Sequence, residues 1–331
     1  MKNKNHTSMI ILTMILGVLF VTITRCSNDV KSGKFVAFSY AEEGEMKAAA
    51  YSDDGISWKV SELPNGEDWH CVCYANGKFV VISGVSSDND QAAYSDDGIS
   101  WNMATMKSKK HWKSICYGNG KFVVISLYSN AVGYSTDGIN WDMTTMKSEE
   151  PWGSVCYGNG KFVAIAGVYS YSPNDKAACS IDGIDWINTQ IPKASWSSVC
   201  YGKGKFVAVS RSTKAAYSTD GINWFEGTGL TDELWTSICY GNGKFIAVGD
   251  CPQVAYSIDG VKWTQVAFPG TWASVCYGDG KFIAVSTFYG AVYSTDGINW
   301  TPIEMPKKPG GYNLDWRYIT YGLDSDIFGF L

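Results

Sequence analysis

Arginine is almost missing from this chain of 331 residues, which holds only Arg25, Arg211 and Arg317. Histidine is as scarce, at His6, His70 and His111. A nucleic-acid partner calls for clustered Lys and Arg, and a formal net charge of −5 with so little arginine argues against one. No Cys-His cluster with ligand spacing is present, so neither a metal nor a cofactor is expected. Beyond the N-terminus no segment sustains a 3.6-residue period, which removes amphipathic helices from consideration. Charged residues make up 18% of the chain and aromatics 15%, with 14 Trp and 20 Tyr. That balance suits a large folded β protein and does not suit disorder.

The N-terminus reads as an export signal. Lys2 and Lys4 precede an apolar run over 9–23, which is short for a membrane-spanning helix. The following "ITRC" ends in Cys26 and resembles a bacterial lipoprotein cleavage site, although Arg25 stands where such sites carry a small residue. Lipidation at Cys26, simple secretion and an uncleaved anchor all remain open. The organisation expected is a signal or anchor at 1–26, a short linker at 27–31, a folded body at 32–322 and a tail at 323–331. The protein is expected at the cell surface, in a periplasm or secreted, with possible association of its N-terminus with a membrane.

Repetition dominates the body. "YSTDGINW" occurs unchanged at 134–141, 217–224 and 293–300, and Asp-Gly recurs at 54–55, 97–98, 137–138, 182–183, 220–221, 259–260 and 296–297. Six of the seven units carry a second signature upstream, as in "WGSVCYGNGKFVAIA" at 152–166. Its Trp falls at Trp69, Trp112, Trp152, Trp196, Trp235 and Trp272, with gaps of 43, 40, 44, 39 and 37 residues. This is the length of a four-stranded propeller blade. Within a unit, "WGSVCYG" alternates over a strand length and "KFVAIA" is a compact apolar run. Asn-Gly between them supplies the positive φ angles of a two-residue hairpin, and a third strand such as "AAYS" leads through Asp-Gly into a fourth.

The ends predict closure. The chain enters its first unit at "SGKFVAFS", 32–39, without a Trp strand, and leaves with "WRYITYG", 316–322, which is that strand alone. An open solenoid would instead need polar caps. The fold class expected is therefore all-β, a seven-bladed β-propeller of four-stranded antiparallel blades, closed by a C-terminal strand.

The repeated box S-x-D-G-x-x-W resembles the Asp-box of the bacterial neuraminidase repeat, found in sialidases, sortilin-type receptors and other propellers. The resemblance covers about 32–322, although each copy is one residue shorter than the usual S-x-D-x-G-x-x-W and one has Cys179 before its Ser. It implies that Asp54, Asp97, Asp137, Asp182, Asp220, Asp259 and Asp296 are structural, at turns between third and fourth strands. The physics agrees: an Asp ahead of Gly accepts hydrogen bonds from the turn's own amides, and the following Trp packs between blades. The resemblance also implies that sialidase chemistry would need three arginines on the substrate carboxylate. The chain has two after the signal, so no catalytic residue is assigned and sialidase activity is not expected.

Other features read blandly. Glycine-rich "YGNGKF" lacks the P-loop spacing and a following helix. Cys73, Cys116, Cys156, Cys200, Cys239 and Cys276 occupy one strand position in six units, with Thr320 in the seventh, and read as small buried hydrophobes too far apart to bridge. Any disulfide would involve Cys71, Cys179 or Cys251. His70 and His111 are taken as exposed or packed, and Glu149 and Glu150 as solvated charge between blades.

Sequence variety is confined to loops after the second strand and to connections between blades, both at one end of an up-and-down blade. There Tyr128, Tyr169, Tyr171, Arg211, Phe288 and Tyr289 are the candidate binding residues, types suited to rigid contacts with sugars or protein surfaces. Lysines in "TMKSKKH", 105–111, are expected on a connection that forms a polar rim. The function these features suggest is a monomeric, non-enzymatic scaffold for a protein or glycan ligand. A glycan-active enzyme and a purely structural surface repeat are the alternatives.

Overall fold

The computed structural model describes residues 6–15, 18–27, 33–40, 48–61, 63, 68–84, 89–167, 173–231, 234–307, 311 and 313–322, with the backbone alone over 6–27. Two compact units are present, Met1–Ser32 and Gly33–Leu331. In the first, His6–Ile15 and Val18–Ser27 pair antiparallel, placing Cys26 opposite Thr7. No helix occurs among the described residues.

The second unit is a seven-bladed β-propeller. Each blade is one four-stranded antiparallel sheet in sequential order, and the innermost strands neighbour one another around a closed ring. The first blade draws on both ends of the chain: Asp315–Gly322 is its inner strand and pairs with Lys34–Tyr40, which is followed by Ala49–Ser52 and Lys59–Ser61. Six blades follow in order, and the third shows the pattern: Trp112–Gly118, Lys121–Ser126, Ala131–Ser135 and Asp142–Thr145.

Packing explains the spelling of each strand. A blade is covered by a neighbour on each side, so the second strand is apolar throughout; Phe122, Val123, Val124 and Ile125 are all fully buried. The third strand uses alanine, as at Ala177, Ala178, Ala215 and Ala216, which leaves room for tryptophans between sheets. Trp112, Trp152, Trp196, Trp235 and Trp316 from the inner strands are completely enclosed, and Trp141 and Trp186 from the boxes nearly so.

The repeated turns join blade to blade. At Asp137, Oδ1 accepts the amides of Ile139 and Asn140 at 2.9 and 2.8 Å and the Ser135 hydroxyl at 2.9 Å, while Ser135 Oγ accepts the Gly138 amide at 2.8 Å. Equivalent Ser-to-Asp bonds of 2.9–3.0 Å form in the other six boxes. Gly138 has a φ of 74°, and a Cβ there would lie 2.6 Å from Val80 of the preceding blade. Glycine is thus needed both for its backbone angle and for the close approach.

The Asn-Gly hairpins stitch in the other direction. Asn159 Nδ2 donates to Thr219 O and Lys161 Nζ to Asp220 O, both in the box of the next blade, and Asn242 and Lys244 repeat this on Thr295 and Asp296. A further joint seats six of the seven inner-strand tyrosines over a glycine, so that a Cβ on Gly118 would be 1.9 Å from the Tyr157 ring. Ala75 occupies this glycine position in the second blade, where it packs near Tyr117. These contacts account for the monotony of one face of the disk: its side chains are committed to holding neighbouring blades together.

One expectation fails. The stretch 105–111 is not a loop up to Lys110, because the outer strand Asn102–Lys110 continues through it, with Thr105 opposite Gln91 and Lys110 opposite Asn89. Ala104 and Met106 are buried on its inner side, and this alternation sustains the strand beneath the lysines.

Candidate functional site

The inner strands line the propeller axis, and six of the seven are bulged just after their tryptophan, as between Trp112 and Ser114. The bulge turns the residue after Trp toward the mouth of the axial cavity. Around the ring that position reads Arg317, His70, Lys113, Gly153, Ser197, Thr236 and Ala273. The next reads Tyr318, Cys71, Ser114, Ser154, Ser198, Ser237 and Ser274. Small neutral groups fill most of the circle. Three adjacent blades break the pattern, with Arg317, Tyr318, His70, Cys71 and Lys113.

The cavity encloses about 200 Å³. Its serines form a belt: Oγ of Ser114, Ser154, Ser198 and Ser237 accepts the amides of Val155, Val199, Ile238 and Val275 in the next blade, at 3.1–3.3 Å. A hydroxyl that accepts an amide still has its own O–H to donate. In the altered sector, Lys113 Nζ lies 2.9 Å from His70 Nε2, and the Tyr318 hydroxyl makes a short contact with His70 Nδ1. Arg317 is held by Asp315 through both Nε and Nη2, at 2.6–2.9 Å, and stacks 4.0 Å over the Tyr40 ring.

Protonation follows from these surroundings. Burial lowers the His70 pKa well below the ordinary histidine value, and Lys113 and Arg317 push it the same way, so the imidazole is neutral at physiological pH. Burial raises that of Tyr318, which keeps its proton. Lys113 keeps some surface facing the cavity, yet dense protein around it desolvates the ammonium. The Cys71 thiol opposes this and Arg211 and Arg317 reinforce it, bringing the pKa to about 8. At pH 7 the ammonium is therefore charged and can only donate, to His70 Nε2. Neutral His70 then carries its proton on Nδ1 and donates to Tyr318 Oη. The Tyr318 O–H is left as a donor, alongside the remaining N–H groups of Lys113.

The amine carries a desolvation penalty that this fold tolerates. Lys113→Met is expected to stabilise the ligand-free protein by about 1–3 kcal/mol at pH 7, measured by denaturant unfolding. The sign can be checked through pH. The penalty is complete below the folded value of about 8, and disappears as pH rises toward the ordinary lysine value of 10.5, where the unfolded chain also loses the proton. The gap between variant and wild type should close over that interval. An unchanged or lower stability for Lys113→Met would mean that the ammonium is not strained in its place.

Four of the sequence-derived candidates, Tyr128, Arg211, Phe288 and Tyr289, lie on the face that bears this mouth. Loops after the second strand share its face: Leu127 and Arg211 donate their amides to His111 O and Ser195 O, just before the inner-strand tryptophans. Tyr128, Phe288 and Tyr289 are 56%, 71% and 61% exposed. Tyr128 meets His111 edge-on at 5.0 Å, and Tyr289 lies 6.4 Å from Trp272. Arg211 is half-buried and close enough to act on Lys113. Tyr169 and Tyr171 lie outside the described residues. The box aspartates lie at the opposite end of the blades.

His70 is buried, and its setting is a hydrogen-bonded polar chain rather than plain packing. Lys113 and Tyr318 were not picked out by sequence reasoning; comparing the residues after Trp across all seven copies would have found them. Cys71 and Cys179 are free thiols, and the Cys251 thiol donates to Gln253 O at 3.6 Å. Burial pushes the Cys73 thiol up to about 12, and its five equivalents shift the same way, so this ring holds no ready nucleophile.

Ring, blades and axial cavity define a seven-bladed β-propeller with a polar mouth on its irregular face. No protein-family model matches the chain, and no curated protein matches it in sequence. Among solved structures it is similar to a streptogramin B lyase, at 8% identity over 90% of this chain and 100% of that one, with a TM-score of 0.65. A catalytically inactive virginiamycin B lyase from Staphylococcus aureus with quinupristin is 12% identical over 78% of this chain and 93% of its own, with a TM-score of 0.63. YCF48 bound to D1 peptide is 15% identical over 80% and 95%, with a TM-score of 0.58. Identities this low establish the shared fold and nothing finer.

Proposed function

We propose that this protein is an exported, non-enzymatic binding propeller that engages a protein or glycan through the face bearing the axial mouth. The observation that carries this reading is the division of labour between the two faces. On one, Asn-Gly and Asp-Gly turns are occupied in joining blades. On the other, loops carry exposed Tyr128, Phe288 and Tyr289 around a polar cavity whose seven-fold repetition is broken in one sector. Aromatics rimming a polar centre suit recognition of a sugar or a protein surface. The chain's Asp-boxes are proposed to be shortened relatives of the bacterial neuraminidase repeat, kept for architecture. Export by the 1–26 segment, with Cys26 as a candidate lipid attachment, places the propeller at the cell surface in this reading.

A second reading has one observation in its favour. The Tyr318–His70–Lys113 chain could move a proton. A glycan array run beside a pull-down from the native cell surface separates the two. A retained and chemically unaltered ligand is expected. A ligand recovered in altered form, with the alteration abolished by His70→Ala, would make the protein an enzyme.

A further inference from the structure

We propose that the axial cavity is a binding site for a small oxyanion group, a carboxylate or a phosphate, held between Lys113, Tyr318 and the serine belt. The inference deepens the binding role of this face by naming the chemistry at its centre, and rests on that reading for the face alone.

The hydrogen bonds of the altered sector run in one direction. Lys113 donates to His70 Nε2, His70 donates onward to Tyr318, and the chain therefore ends in a Tyr318 O–H that must donate elsewhere. Ser114, Ser154, Ser198 and Ser237 each accept a backbone amide, which leaves each with an O–H to give. Donors thus face the cavity from the altered sector and from the belt. A ligand that satisfies them must bring acceptors.

Charge points the same way. Asp315 is committed to Arg317 through three contacts of 2.6–2.9 Å. The charged groups that bear on Lys113 are Arg211 and Arg317, with the Cys71 thiol and His70 as its other titratable neighbours and no carboxylate among these. His70 is neutral and Tyr318 protonated. Asp68 acts on Tyr318. The sector is therefore a desolvated cation among donors, where an oxyanion gains charge-assisted hydrogen bonds. A cavity of about 200 Å³ has room for such a group and part of a larger ligand, whose remainder would lie over the rim.

The test uses the full chain and two probes, sodium acetate and sodium phosphate, each titrated at constant ionic strength against chloride, with thermal unfolding followed by tryptophan fluorescence. A saturable rise in Tm with at least one probe is expected. Response to acetate alone identifies a carboxylate site, to phosphate alone a phosphate site, and to both the shared chemistry. Lys113→Met should weaken the responding probe roughly tenfold or more, whereas Lys113→Arg should retain most of the affinity. Lys203→Gln, on the hairpin face, should change nothing. Should Lys113→Met fail to fold, the wild type still decides. Its affinity for the responding probe should fall from about pH 7 to about pH 9.5, as Lys113 passes its pKa of about 8. No response to either probe, full affinity in Lys113→Met, or a flat pH profile would each overturn the proposal. Loss of the oxyanion site with ligand binding at the rim intact would leave the broader function standing.

Discussion

Removing residues 312–331 should abolish the folded monomer. The deletion takes away Asp315–Gly322, the inner strand of the first blade, and leaves Lys34–Tyr40 with one edge unpaired from Lys34 to Tyr40. It also removes Trp316, which is completely buried, and Tyr321, whose ring packs 4.6 Å from Phe35. The two blades beside the gap would lose their joint, since Tyr321 covers Gly278 and Tyr74 covers Gly322. An open sheet edge at the centre of the disk favours association with other chains. The expected result is aggregation or a large fall in Tm, followed by size-exclusion chromatography and circular dichroism. A monomer that melts like the intact chain would mean that the ring does not depend on its closing strand.

Acid should unfold the propeller over a defined interval because the same carboxylate turn occurs seven times. Partial burial works to raise the pKa of Asp54, but hydrogen bonds from the amides of Ser57 and Ile56 and from Ser52 outweigh it and bring the value to about 2. Asp137, Asp220 and Asp296 are held lower still, with Asn140, Asn223 and Asn299 adding side-chain donors. The sign is that of a depressed acid. These groups contribute stability above the unfolded value of about 3.9, and lose it as pH falls through their folded values. Each box is partly exposed, so solvent screening limits any single contribution; the number of copies makes the sum large. Stability in denaturant should be level above about pH 5 and fall steeply from about pH 4 toward pH 2. A protein equally stable at both ends of that range would show that the boxes do not hold the blades through ionised aspartate.

Much of this fold is legible in the sequence because each blade spells its own strands. The positive φ of Asn119 and Gly120, 46° and 74°, follows from their Asn-Gly pair, and closure follows from a lone Trp strand at the end of the chain. Other features depend on the ring itself. Tyr318 and His70 are 248 residues apart and meet only because the last inner strand lies beside the second blade. The direction of Lys113 depends on a bulge that simple alternation does not reveal. Lysines over 105–110 concealed an outer strand, since their charge resembles that of a loop while Ala104 and Met106 face inward. Asn159 and Lys161 looked like turn residues alone, and their bonds to the next blade become visible only with the blades side by side.

The most direct measurement of the binding role is the affinity of face-specific variants for the glycan or protein identified by array and pull-down. Phe288→Ala combined with Tyr289→Ala removes the two most exposed aromatics of one rim loop, and Tyr128→Ala removes another. Lys203→Gln alters the hairpin face, where its amine donates to Ile258 O at 2.9 Å. With folding checked by Tm, the rim variants should weaken binding roughly tenfold or more and Lys203→Gln should leave it unchanged. Full affinity in the rim variants, with loss in Lys203→Gln, would put the binding surface on the opposite face and contradict the proposed role.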